Sequence, residues 1–149
     1  MKNIYNILLL FIFSGISSFS FAQTSNCAYT GTALTVGSSC TTVAFNSNNN
    51  TNNWTSASGC NASPSYDDAW WWFTATATST TITYNSTSDA ILHLLTGTCS
   101  ATMSYLACAD NTSSGNETIT YATTIGTNYA IRVQRYNSDA NYEWNYLCL

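Results

Sequence analysis

The sequence predicts an all-β protein: an antiparallel, jelly-roll-like β-sandwich of about eight or nine strands, stapled by disulfides. Three observations point there. Apolar and polar residues alternate with a period of two through most of the chain, and no stretch shows helical spacing. Thr, Val, Ile, Tyr and Trp dominate the alternating stretches, residues whose branched or flat side chains pack well on a pleated surface. The alternating pieces are short and separated by Gly, Asn, Asp and Ser, the pattern of a sandwich rather than of strands interleaved with helices.

The first 22 residues stand apart. Met1-Lys2-Asn3 precedes an almost wholly apolar run over residues 4–13, then Ser14-Gly15 and a stretch ending Ser20-Phe21-Ala22. A basic start, a short apolar core and a small-x-small end make a secretory signal peptide. The run is shorter than the roughly 20 residues of a membrane span, which argues against a permanent anchor. Cleavage is expected after Ala22, leaving residues 23–149 as a single secreted, extracellular domain. Cys27 follows Thr24-Ser25-Asn26, so no cysteine lies at the cleavage point to take a lipid.

Taken in order, residues 33–36 alternate briefly before a Gly37-Ser38-Ser39 turn, and residues 40–45 read as a strand. Residues 46–65 form a long polar loop, rich in Asn, Ser and Thr and holding Trp54 and Pro64. Then comes Asp67-Asp68-Ala69-Trp70-Trp71-Trp72-Phe73-Thr74-Ala75. As a strand it puts Ala69, Trp71, Phe73 and Ala75 on one side and Trp70, Trp72 and Thr74 on the other. Further strands are expected over 78–85, 90–95, 103–107, 117–123, 128–136 and 142–149.

Six cysteines, Cys27, Cys40, Cys60, Cys99, Cys108 and Cys148, all follow the leader. An even count in an exported chain argues for three disulfides, whereas a zinc site is disfavoured because there is no Cys-x-x-Cys pair and a single histidine. Spacing leaves many connectivities open. The shortest loops favour Cys40–Cys60 and Cys99–Cys108, with Cys27–Cys148 then joining the two ends. Beyond the leader there is no lysine, and Arg132 and Arg135 are the only fixed positive charges against seven carboxylates. Binding to nucleic acid or insertion at an anionic membrane surface is therefore not expected.

Four stretches resemble one family. Asp68-Ala69-Trp70-Trp71-Trp72-Phe73-Thr74-Ala75, Asp89-Ala90-Ile91-Leu92-His93-Leu94-Leu95-Thr96-Gly97, Leu106-Ala107-Cys108-Ala109-Asp110-Asn111 and Tyr129-Ala130-Ile131-Arg132-Val133 are similar, in order and spacing, to segments of the bacterial pre-peptidase C-terminal domains. Those are CUB-like, jelly-roll sandwiches of secreted proteins. The resemblance implies a non-catalytic module, a stand-alone unit or a piece of a larger secreted protein, of a kind in which some relatives bind calcium, collagen or polysaccharide.

Catalysis is not expected: His93 sits mid-strand between leucines, no Gly-x-Ser-x-Gly elbow exists, and nothing in the sequence sets two carboxylates across a cleft. No organic cofactor is implied. Asp68, Asp89, Asp110 and Asn111 fall in or beside turns and supply the oxygens of a candidate calcium site, although Asp and Asn more often cap turns. Trp54, Tyr66, Trp70 and Trp72 form a candidate aromatic platform for an extracellular polysaccharide or surface protein. The alternative for Trp70 and Trp72 is cover by the 46–65 loop, which leaves a structural or adhesive spacer. Exposed tryptophans favour the first reading, buried tryptophans the second, and carboxylates convergent in a pocket a hydrolase.

Overall fold

The computed structural model describes residues 27, 29, 32–37, 39–45, 60, 68–100, 103–135 and 143–149, with the side chains of 42, 44, 45, 143 and 144 left aside. Eight strands are present: β1 Thr41–Phe45, β2 Asp68–Thr74, β3 Ser79–Ser86, β4 Ala90–Thr96, β5 Ser104–Ala109, β6 Gly115–Ala122, β7 Asn128–Arg135 and β8 Glu143–Cys148. They fall within about two residues of the stretches that alternate in the sequence, save 33–36, where only Leu34 makes an isolated bridge, to Phe73. Among the described residues there is no helix long and apolar enough to cross a membrane.

The strands build two four-stranded sheets, sheet I in the order β1-β8-β3-β6 and sheet II in the order β2-β7-β4-β5. Every neighbouring pair is antiparallel. Only the β4–β5 connection stays within a sheet; every other one crosses to the opposite layer, which gives a two-layer antiparallel sandwich. Alternation then does the packing. Val43, Ile82, Tyr84, Ile119 and Leu147 from sheet I meet Ala69, Trp71, Phe73, Leu92, Leu94, Ile131 and Val133 from sheet II in one buried core. Phe73 stacks on Tyr129 with ring centroids 5.5 Å apart, and Trp71 leans on Tyr84 at 6.3 Å.

The segment before β1 ties the layers at one edge. Leu34 N–H donates to Trp72 O at 2.8 Å in sheet II, and Gly37 N–H donates to Leu149 O at 3.1 Å beyond β8 in sheet I.

The disulfides are Cys27–Cys99, Cys40–Cys148 and Cys60–Cys108. None matches the expected Cys27–Cys148, Cys40–Cys60 or Cys99–Cys108. Shortness of loop is a weak guide, because closure entropy grows only with the logarithm of length. Strand order decides instead. β1 lies beside β8 with Thr41 opposite Leu147, so Cys40 meets Cys148 across 108 residues of sequence. Cys108 lies opposite His93 and so projects from the outer side of sheet II, where it takes Cys60.

Candidate functional site

The triple tryptophan divides as the strand period requires, with Trp71 in the main core and Trp70 and Trp72 on the outer side of sheet II. That outer side is covered over much of its area. Trp70 is 1% exposed and packs with Cys27, Leu95, Met103 and Ala130, while Trp72 is half-buried with Tyr29 edge-on at 5.8 Å. Tyr29 is tied down in turn, its hydroxyl donating to Gly97 O at 2.8 Å. The expectation that Trp70 helps form an exposed platform is therefore corrected: the segment held by Cys27–Cys99 lies over it, since rings this large are covered wherever chain can reach them. Trp54 and Tyr66 lie outside the described residues.

The same outer side carries a buried polar row. The register places Trp70, Arg132, His93 and Cys108 next to one another on successive strands, β2, β7, β4 and β5. Arg132 Nε donates to Asp68 Oδ2 at 2.6 Å, both side chains fully buried, and the guanidinium lies 5.8 Å from the Trp70 ring centroid. Asp68, expected among the calcium ligands, is thus committed to Arg132. An acidic residue paired inside a layer neutralises the cation that needs it and has no open side to offer a metal. His93 is fully buried. Burial, then the Arg132 charge, lowers its pKa to about 3, so it stands as a neutral imidazole at physiological pH.

The other acidic candidates do come together. β4 and β5 pair antiparallel with Leu92 opposite Ala109, so the residue before β4 and the residue after β5 are brought to the same end of sheet II. These are Asp89 and Asp110. With Asn111, Thr112 and Ser113 they line an open depression of ≈ 300 Å³. Asp89 Oδ1 is buried there and has no hydrogen-bond partner among the described residues. Burial, then the nearby charges of Asp89 and Glu117, push the Asp110 carboxyl above the usual aspartate range.

Glu117 holds the turn that forms this depression. It is 1% exposed, on the inward side of β6, and both carboxylate oxygens are engaged: Oε2 accepts from Asn111 N at 2.9 Å, and Oε1 accepts from Thr112 N at 2.9 Å and Thr112 Oγ1 at 2.7 Å. The sequence did carry a signal for this role. Alternation sets Glu117 on the same side as Ile119, and an acid on an apolar side needs partners.

Among the described residues no three His, Cys, Asp or Glu side chains close around a point by themselves. A cation at this end would therefore draw on Asp89 and Asp110 together with amide and hydroxyl oxygens of Asn111, Thr112 or Ser113 and water, a mixed set that suits calcium better than a small rigid ion. Compared with protein-family models, with curated proteins and with solved structures, the chain has no match in any of the three.

Proposed function

We propose that this chain is a non-catalytic accessory or adhesive module, exported by its leader and steadied by calcium at the acidic end of sheet II. The observation that carries the reading is the convergence of Asp89 and Asp110 on one open depression, with Glu117 behind them. Carboxylates held together at mutual electrostatic cost are what a hard divalent cation relieves. Export is supported by three disulfides, which persist in oxidising surroundings.

A hydrolase would need two carboxylates free to flank one bond, or a nucleophile beside a base. Asp89 and Asp110 do converge on an open depression, but the neighbouring Glu117 is committed to the turn and His93 is shut inside, so we read the pair as oxygen ligands for a cation rather than as an acid and base. Nucleic acid is an unsuitable partner, since Arg132 and Arg135 are both buried. An extracellular polysaccharide or surface protein is the fitting class of ligand.

The test is thermal unfolding of the oxidised chain with EDTA and with millimolar calcium. Calcium should raise the midpoint, since an ion at about 100 times its dissociation constant adds about 2.7 kcal/mol. Asp110→Asn separates this from simple turn capping. With one of the crowded charges removed, the variant should melt higher than the parent in EDTA and respond less to calcium. An unchanged parent midpoint in calcium leaves the aspartates as turn caps only.

A further inference from the structure

The side of sheet I that faces away from the core is polar and open to solvent along β3 and β6. Here β3 and β6 present hydroxyls and amides in cross-strand pairs. Thr81 Oγ1 and Thr120 Oγ1 are 2.9 Å apart, Thr83 Oγ1 and Thr118 Oγ1 are 3.1 Å apart, and Asn85 Nδ2 donates to Asn116 Oδ1. Tyr146 of β8 stands opposite Asn85 in the register and is 52% exposed, one of two large apolar side chains so open among the described residues. The row Tyr146–Asn85–Asn116 thus sets a ring beside two amides across three neighbouring strands. No described side chain on this face is charged.

We propose that this face binds a neutral polysaccharide, with Tyr146 as the stacking surface for a sugar ring and Asn85 and Asn116 as hydrogen-bonding partners of its hydroxyls. The proposal rests on the reading of the chain as a binding module and gives that module a ligand class and a place to hold it, away from the acidic end.

Charge selects the occupant. A nucleic acid or anionic polymer requires cations and a basic peptide requires carboxylates, and the face has neither. A protein partner requires a contiguous apolar centre, and one ring among threonines and asparagines does not make one. A pyranose alternates an apolar C–H surface with hydroxyls that both donate and accept, which matches a ring flanked by amides and hydroxyls. Pre-ordering adds to the match. The side chains already hold one another across strands about 4.8 Å apart, so little rotamer freedom remains to be lost on binding. The face is also open, whereas the outer side of sheet II is covered over Trp70, Arg132 and His93 and leaves Trp72 half-buried.

The test is co-sedimentation of the oxidised, leader-free chain with insoluble cellulose, xylan and starch, in calcium and in EDTA. Retention on at least one of these is expected, weakened about tenfold or more by Tyr146→Ala, which corresponds to about 1.4 kcal/mol. Tyr146→Trp should keep it, since a stacking ring is preserved. Asn85→Ala should weaken it. Ile125→Ala, which removes a side chain 62% exposed in the turn before β7, should leave it unchanged and controls for general stickiness. Unchanged melting midpoints show that the variants fold, and Tyr146→Trp keeps the test readable if the alanine variant does not. Retention indifferent to Tyr146→Ala, or abolished by EDTA alone, would overturn the proposal while leaving the calcium reading in place. So would self-association that Tyr146→Ala dissolves, because the occupant would then be a second copy. No retention on any of the three polymers overturns the sugar site, and the calcium-dependent midpoint decides the parent reading separately.

Discussion

Arg132 shows how one residue can set the terms for its neighbours. It is a fixed charge inside a layer, neutralised by Asp68 at 2.6 Å, beside the Trp70 ring and next to His93. Shut away from solvent, and with a permanent cation that close, His93 is far easier to keep neutral than to protonate. The consequence for stability has a definite sign. The folded pKa of about 3 lies below the unfolded value of about 6.5, so in this window the unfolded chain binds more protons. Stability attributable to His93 is fully present above about pH 6.5 and falls with pH, by at most about 1.4 kcal/mol per unit, until the folded group titrates. Denaturant unfolding between pH 6.5 and 4.5, above most carboxylate titrations, should show this decline, and His93→Gln should flatten it. A slope unchanged in the variant would assign the decline to other groups. The mid-strand position of His93 between leucines was visible in the sequence; its closeness to Arg132 was not, because that depends on β4 and β7 becoming neighbours.

At the scale of the element, β2 was the most readable piece of the chain and also the most misleading. Its alternation correctly put Ala69, Trp71, Phe73 and Ala75 on one side of the strand, and that side lines the core. The opposite side could not be read, because cover there comes from chain distant in sequence, through Cys27, Met103 and Tyr29. Period-two alternation says which side chains share a side of a sheet; it does not say how many layers lie above that side. The acidic turn was half legible for a related reason. Asp89, Asp110 and Asn111 announce themselves beside turns, but only the antiparallel β4–β5 pairing makes them neighbours. Asp68 is the converse, a turn-edge aspartate by sequence and an ion-pair partner in space. For Trp71, fully buried between the layers, replacement by Ala should cost about 3–5 kcal/mol in denaturant unfolding. Trp71→Phe should cost less, because the indole Nε1 has no hydrogen-bond partner among the described residues and its removal abandons no bond. Equal losses for the two variants would mean that ring size matters less here than the core contacts imply.

Across the whole molecule, the sandwich class and the presence of three cross-links were legible, and the partners in each cross-link were not. Cys40 finds Cys148 only because β1 and β8 lie side by side, a fact of strand order that no local spacing encodes. That bridge has a mechanical consequence. Traction applied between residues 39 and 149 enters and leaves through one covalent link, so load bypasses the sheets. Single-molecule stretching between those points should release almost no length from the sandwich while the bond is intact. After reduction the 108-residue span between the two sulfurs should pay out, adding up to about 370 Å of contour. A tether that lengthens this far before reduction would mean that the Cys40–Cys148 bond does not bear the force. With the bond in place, the protein would act under tension as a short inextensible clasp, suited to a position between surfaces that are being pulled apart.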